Sequence, residues 1–259
     1  MIKLSVVIIT YNEEKNIGRC LNSVRNIADE IIVVDSFSTD STEAICREAG
    51  TRFIQHPFEG HIEQKNYAIG QASWPHILSL DADEALTGAL EQEILNIKSN
   101  WKSDGYYINR LTNYCGHWVR YCGWYPDQKL RLWDSRKGEW GGVNPHDKFI
   151  MQKGASTGHI NADLLHYSFY TIEQHVRLVN FFSEFAAKTL FDKGKNVSLA
   201  YILISPVAKF FRDFFLKRGF MDGYYGLVLC VISSYAKFLK YAKLRSMWLQ
   251  RKGQQNQHQ

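Results

Sequence analysis

Leu4-Ser5-Val6-Val7-Ile8-Ile9-Thr10 is a continuous apolar run rich in β-branched residues, the pattern of a strand buried on both faces. Asn12 follows where a helix cap belongs, and Glu13 and Glu14 suit a first helical turn. Ile17, Cys20, Leu21 and Val24 then recur as the apolar stripe of that helix. Outward from this unit the alternation repeats. Ile31–Val34 reads as a second buried strand, Ser38–Thr42 as turn and cap, and a helix runs to about Ala49 with Gly50 as its stop. Arg52–Gln55 reads as a third strand, Ile62–Ala72 as a helix and Ile77–Leu80 as a fourth strand. Strand and helix alternating through short loops predict a doubly wound, mostly parallel α/β sheet. Ligands bind such sheets beyond the carboxyl ends of the strands. The residues there are Thr10–Asn12, Asp35–Asp40 and Asp81–Glu84.

Residues 101–170 read as loop-rich and carry most of the tryptophans. From Thr171 the pattern turns helical, with Ile172, Val176, Val179, Phe182, Ala186 and Leu190 as a stripe and Gly194 as a break. The expected organisation is an α/β region over 1–170, which changes character at about residue 100, a helical extension over 171–252, and a disordered polar tail over 253–259. No stretch reaches the roughly 18–20 apolar residues needed to span a bilayer, and the N-terminus lacks the parts of a signal peptide.

With 45% hydrophobic and 22% charged residues, the 259-residue chain is globular, which excludes a disordered or fibrous protein. Its five cysteines are odd in number and include no CxxC, so a disulfide framework and a four-cysteine zinc site are not expected. Cys115, His117 and Cys122 lack a fourth ligand at usual spacing. Residues 176–252 hold 14 Lys and Arg against 4 Asp and Glu, whereas the rest of the chain is net acidic. A basic, aromatic back half fits an anionic membrane surface. No nucleic-acid-binding motif accompanies it, so nucleic acid is not an expected partner.

The chemistry gathers at the strand ends. Asp81-Ala82-Asp83-Glu84 sets three carboxylates within four residues directly after a strand. They repel one another unless solvated or offset by a cation, and a divalent ion bridging to a diphosphate is one such arrangement. The alternative is an acidic helix N-terminus. Asp35 either accepts hydrogen bonds from a base or ribose or serves its own turn.

Together these residues resemble the family 2 inverting glycosyltransferases, which have the GT-A nucleotide-sugar fold. The segments are SVVIITYNEEKNI at 5–17, VVDSFSTDST at 33–42 and LDADE at 80–84, in that order. The resemblance implies that Thr10, Asn12 and Asp35 line a nucleoside pocket. It further implies that Asp81 faces the ribose and donor sugar and that Asp83 binds a divalent cation, Mn2+ or Mg2+. Ser36 stands where many members have a second Asp. Downstream, DQKLRLW at 127–133, WGGVNPHD at 140–147, LHYS at 165–168 and KRGFMDG at 217–223 resemble a bacterial subgroup that includes lipopolysaccharide core glucosyltransferases. Asp147 stands where that subgroup has Glu, one methylene longer.

What this implies is a nucleotide-sugar donor, for example UDP-glucose, and a cell-envelope glycan or glycolipid acceptor. The same resemblance makes 1–170 the catalytic region, with a donor half at about 1–100 and an acceptor half at about 101–170. Asp147 is the expected general base, the alternative being that it only pairs with Arg131 or Lys129, and His146 is expected to orient the base or the diphosphate. Arg131 and Lys129 are candidate diphosphate contacts, with a solvated surface charge the alternative for Lys129. His166 is open between a core histidine and a site residue. Trp124, Tyr125 and Trp140 are expected on an acceptor platform, since sugar C–H faces pack on aromatic rings; ordinary core packing is the alternative. The expected location is the inner face of the cytoplasmic membrane. A nucleotidyltransferase is the alternative enzyme, without the Gly-rich basic loop after the first strand that it would need, and a non-catalytic membrane- or glycan-binding module is the third reading.

Overall fold

The computed structural model describes residues 1–143 and 146–256. The chain forms two compact units: Met1–Leu111 with Pro126–Tyr167, and Thr112–Tyr125 with the residues from Ser168 onward. Segment 112–125 thus groups with the helices rather than with the catalytic region in which the sequence pattern puts it.

In the first unit, β1 (Leu4–Thr10), β2 (Glu30–Asp35), β3 (Arg52–Gln55) and β4 (His76–Asp81) are parallel, in the order β3-β2-β1-β4. Leu4, Val6 and Ile8 of β1 pack on one face with Ile17, Cys20, Leu21 and Val24 of α1 (Ile17–Val24). Val7 packs on the other face with Ala68 of α3 (His61–Gly70). Burial on both faces is why LSVVIIT shows no alternation. α2 (Thr42–Glu48) connects β2 to β3, and Gly50 ends it in the left-handed region at φ +72°. The registers bring Thr10 beside Asp35 and Ile9 beside Asp81, so the carboxyl ends of β1, β2 and β4 are level.

Asn12 is not a helix cap. α1 begins at Ile17 with Asn16 at its N-cap position. Asn12 sits at φ +53°, a conformation its short polar side chain tolerates. Its N–H donates to Ser38 Oγ at 2.8 Å, and its Oδ1 accepts from the Thr39 N–H at 2.8 Å. These bonds tie the loop after β1 to the loop after β2.

Residues 101–170 are mostly strands, not loops. Past β4 the sheet continues through β8 (Asp127–Asp134), β6 (Gly105–Tyr114), β11 (Thr157–Phe169) and β5 (Glu84–Leu86). The pairings of β4 with β8, β8 with β6, and β11 with β5 are antiparallel. α4 (Gly88–Ser99) follows β5, and its N-cap Thr87 accepts from the Leu90 N–H. Buried Asn109, Arg131 and Asp134 interrupt the apolar runs of these strands, which hides the strand pattern. β9 (Gly138–Val143) and β10 (His146–Met151) form a separate two-stranded ribbon.

In the second unit, β7 (His117–Val119) pairs with the Thr112–Tyr114 end of β6. The helices are α5 (Ile172–Asp192), α6 (Leu199–Phe211) and α7 (Gly223–Asn256), with a π-helical turn at Arg212–Leu216 and a 3-10 turn at Gly219–Asp222 between the last two. Thr171 and Gln174 form a capping box at the start of α5. The expected α5 stripe is not its buried face: His175, Ser183 and Ala187 are buried, whereas Ile172, Val176 and Phe182 are exposed. α7 runs to Asn256, so residues 253–256 are helical, and the rest of the expected tail lies outside the described residues. No described helix is long and apolar enough to cross a membrane. The five cysteines are free. Tyr114, Val119, Cys122, Leu229 and Cys230 form the core of this unit.

The KRGFMDG segment turns the chain into α7 at very close range. A Cβ on Gly226 would lie 1.8 Å from the Gly219 carbonyl oxygen. Gly226→Ala is therefore expected to destabilise the protein by about 1–3 kcal/mol or more, lowering the melting temperature by several degrees. An unchanged thermal melt would show that the two backbones do not approach this closely.

Candidate active site

The site is built around the turn between β4 and β5. Glu84, fully buried, holds that turn by accepting the Asp81 N–H on Oε2 at 3.0 Å. Its Oε1 accepts from Arg131 of β8 at 2.5 Å and from Arg110 of β6 at 3.4 Å. The same Arg131 nitrogen donates to Asp81 Oδ2 at 2.7 Å. Lys65 of α3 completes the network. Its Nζ lies 3.1 Å from Asp81 Oδ1 and 2.8 Å from Asp147 Oδ2 of β10.

Burial alone would raise the Asp81 carboxyl, but Arg131 and Lys65 outweigh it and hold it well below the usual carboxylate range. Burial would likewise lower Arg131, and Asp81 and Glu84 reverse that and push its guanidinium up. Much of the repulsion within the acidic run is thus offset by the protein's own cations.

Arg131 is 3% exposed, and both its ion pairs, to Asp81 and Glu84, go through one guanidinium nitrogen, while its buried Nε has no hydrogen-bond partner among the described residues. Lys129 pairs with Asp127 at 3.0 Å. Asp147 takes neither of them as its ion-pair partner, but Lys65.

Asp83 stands apart from this network. Its carbonyl accepts the Tyr167 N–H at 2.9 Å, and its Oδ2 lies 3.2 Å from His166 Nε2. The β11–β5 register puts His166 opposite Glu84, which carries the imidazole to the acidic turn. His166 is therefore at the site. Arg19 stacks over Tyr167, with its guanidinium carbon 3.6 Å from the ring centroid, and so braces this corner. A partly exposed carboxylate and imidazole side by side are a suitable donor pair for a divalent cation. No described group of three or more such donors converges. Mg2+ and similar ions commonly take only one or two protein ligands and complete their shell with phosphate oxygens and water, so the residues present fit.

At the nucleoside end, Asp35 is wholly buried, and both its oxygens are used by Ser38, from the N–H at 2.8 Å and from the hydroxyl at 2.5 Å. As placed, it shapes the loop rather than meeting a base. Thr10 Oγ1 is buried with no hydrogen-bond partner among the described residues. Tyr11 and Phe37, to which the quoted segments assign no role, stand exposed after β1 and β2, Phe37 at φ +61°.

The three aromatics expected on an acceptor platform are differently employed. Trp140 is 5% exposed, packed edge-to-face on Trp133 and on Phe149. Lys65 Nζ lies 4.5 Å from its ring centroid, so Trp140 seats the lysine instead of offering a face to a sugar. In the second unit, Trp124 packs against Tyr114, Phe169 and His175, and Tyr125 lies under the Arg120 guanidinium. The side chain of His146 lies outside the described residues, as do Asn144 and Pro145 before it.

Lys65 is the main site residue that the sequence does not announce. Its only signal is position: Lys65 shares a helix face with Ile62, Ala68 and Ile69, so a lysine interrupts an apolar stripe. Its neighbour Asn66 clamps Trp140, donating to its carbonyl and accepting its N–H, both at 3.0 Å. α3 thereby fixes the ribbon that carries Asp147.

The family described as glycosyl transferase family 2 matches residues 5–153. An uncharacterized glycosyltransferase of Rickettsia felis is 35% identical over 269 residues, covering 97% of this chain and 93% of that protein. The chain belongs to glycosyltransferase family 2. LpsC of Rhizobium meliloti, a lipopolysaccharide core biosynthesis glycosyltransferase, is 28% identical, covering 93% of this chain and 91% of that one. The crystal structure of S. aureus TarS 1–349 aligns over 96% of this chain and 91% of its own at 15% identity, with a TM-score of 0.41. The mixed α/β sheet, parallel through β3-β2-β1-β4, agrees with the fold that membership of this family implies. The matched segment contains Lys65, Asp81, Asp83, Arg131 and Asp147, and His166 lies beyond it.

Removing Arg131 tests the acids it pairs. Arg131→Leu is expected to cost about 3–5 kcal/mol in urea melts at pH 7, because Glu84 and Asp81 lose the cation they share and keep only Arg110 and Lys65 respectively. The depressed Asp81 carboxyl contributes stability that is present above its unfolded pKa, near 4, and lost as pH falls further. The deficit of the variant should therefore shrink toward acid pH. A deficit that is constant with pH would show that the pairing contributes nothing.

Proposed function

We propose that this family 2 glycosyltransferase is inverting and metal-dependent, and that it moves a sugar from a UDP-sugar such as UDP-glucose to a lipopolysaccharide-core glycolipid at the inner face of the cytoplasmic membrane. The observation that carries this reading is the Lys65 bridge, which holds Asp147 of β10 and Asp81 of β4 on one ammonium. It supports a carboxylate from the ribbon acting at the same point as the strand-end acids. The likeness to LpsC supports the acceptor class.

In this reading Thr10, Asn12 and the loops after β1 and β2 receive the nucleoside, and Asp81 faces the ribose and donor sugar. Asp147 takes the proton of the acceptor hydroxyl as its oxygen attacks the anomeric carbon from the face opposite the diphosphate. The new C–O bond forms as the bond to the diphosphate breaks, so configuration inverts in a single displacement. Lys65 is a positioning residue that aims Asp147. Asp83 and His166 would hold Mn2+ or Mg2+, which when bound offsets charge on the diphosphate.

The test is a nucleotide-sugar panel with cell-envelope glycolipid acceptors, reading the anomeric configuration of the product. Asp147→Asn should reduce transfer by roughly 10²–10⁴-fold with donor affinity kept; turnover near the wild-type rate would move the base elsewhere. Asp83→Ala should abolish Mn2+-dependent transfer and weaken Mn2+ binding in calorimetry. Activity with an unchanged manganese dependence would remove Asp83 from the metal site.

A further inference from the structure

α6 is sorted the wrong way round for a helix facing water. Its buried residues are Ile202, Ser205 and Pro206, and the π-helical turn after it buries Asp213. The outward positions are apolar. Leu199, Leu203, Val207, Phe211 and Phe215 follow at intervals of four, and each is 52–57% exposed. Each step of four advances about 40° around an α-helix, so they form one continuous stripe that winds slowly along α6 into the turn. Ile204 and Leu216, more exposed still, widen the patch. Contiguous apolar surface of this kind marks an interaction site in soluble proteins. At 13 residues, α6 is about 20 Å long, against roughly 30 Å of bilayer hydrocarbon, so it can lie in a membrane surface but not cross it.

The charges at one end of the stripe decide what covers it. Buried Asp213 is shared by Lys209 at 2.5 Å, Arg212 at 2.8 Å and Lys217 at 3.7 Å. Three cations around one carboxylate leave positive charge in excess, and exposed Arg218 adds to it. In a twofold dimer each element meets its own copy or a near neighbour, so burying this face between two copies would tend to bring like charges together. An anionic lipid surface offers hydrocarbon to the stripe and phosphates to the cations.

We infer that the outward face of α6 and the following turn, Leu199 to Arg218, is an insertion surface for a bilayer containing anionic phospholipid. This assigns a surface to the membrane location proposed above and rests on that reading.

The experiment is co-sedimentation of the full chain with phosphatidylcholine vesicles, with and without phosphatidylglycerol, at low and high salt. The comparison is between wild type, Leu203→Asp/Phe211→Asp and a control, Phe181→Asp, on the exposed face of α5. Wild type should bind only the anionic vesicles and more weakly at high salt. The double variant should lose at least about tenfold in partitioning, with the control within about twofold of wild type. Equal binding by the double variant, or equal loss by the control, overturns the surface while leaving the membrane reading intact. A wild type that binds no anionic vesicles at low salt overturns the membrane reading itself. A wild-type dimer that the double variant splits, with vesicle binding unchanged, overturns the surface in favour of self-association. Should the double variant fail to fold, carbene footprinting of the wild type decides: protection of Leu203, Phe211 and Phe215 by anionic vesicles supports the surface, and unchanged labelling overturns it.

Discussion

The active-site end of the first unit depends on one buried guanidinium. Arg131 reaches from β8 to Glu84 and Asp81, and without it two carboxylates would sit close together in a low-dielectric setting. Their mutual repulsion would open the β4–β5 turn, and Asp83 would lose the backbone geometry that sets it beside His166. A stability element and a site element are therefore the same residue.

Lys65 extends the network to a separate piece of chain. α3 packs under the parallel strands through Ala68, and its Lys65 and Asn66 reach the ribbon. Asn66 grips the backbone at Trp140, Trp140 seats the ammonium of Lys65, and the ammonium holds Asp147. Each contact fixes the next, so the carboxylate on a two-stranded ribbon is held by a helix of the main sheet. Ribbons alone are poorly specified in water; here the specification comes from a helix whose sequence shows no motif.

The parallel half of the sheet was legible because burial on both faces leaves an unbroken β-branched run. The acids at its strand ends were legible for the same reason, since topology alone directs ligands there. The antiparallel half was not, because Asn109, Arg131 and Asp134 are buried and paired, which breaks the apolar alternation. The site's partners were obscured in a related way. A sequence shows that Asp81, Asp83 and Glu84 are crowded, but not whether a metal or an arginine from β8 relieves the crowding. In the folded chain the acids have separate partners. Arg131, Arg110 and Lys65 offset Asp81 and Glu84, while Asp83 turns to an imidazole from β11. Asn12 and Asp35 were located correctly at the strand ends, yet their hydrogen bonds run to Ser38 and Thr39, which no spacing rule could anticipate.

Helical periodicity in the second unit misled in a more informative way. The apolar stripe of α5 reads as a core face because apolar residues at helical spacing normally turn inward. The inward positions of α5, α6 and the π-helical turn include, beside Ala187, Ile202 and Pro206, the polar residues His175, Ser183, Ser205 and Asp213. Their burial is tolerated where partners exist: Tyr114 for His175, and Lys209 and Arg212 for Asp213. Burial pushes His175 down to about 4, so at neutral pH it is an uncharged ring that packs among Tyr114, Trp124 and Phe169. Polar residues inside and leucine, valine and phenylalanine outside are an arrangement that water disfavours twice. Around α6 it becomes favourable when what covers the helix is itself apolar, which is information about surroundings that a basic, aromatic composition conveyed only in outline.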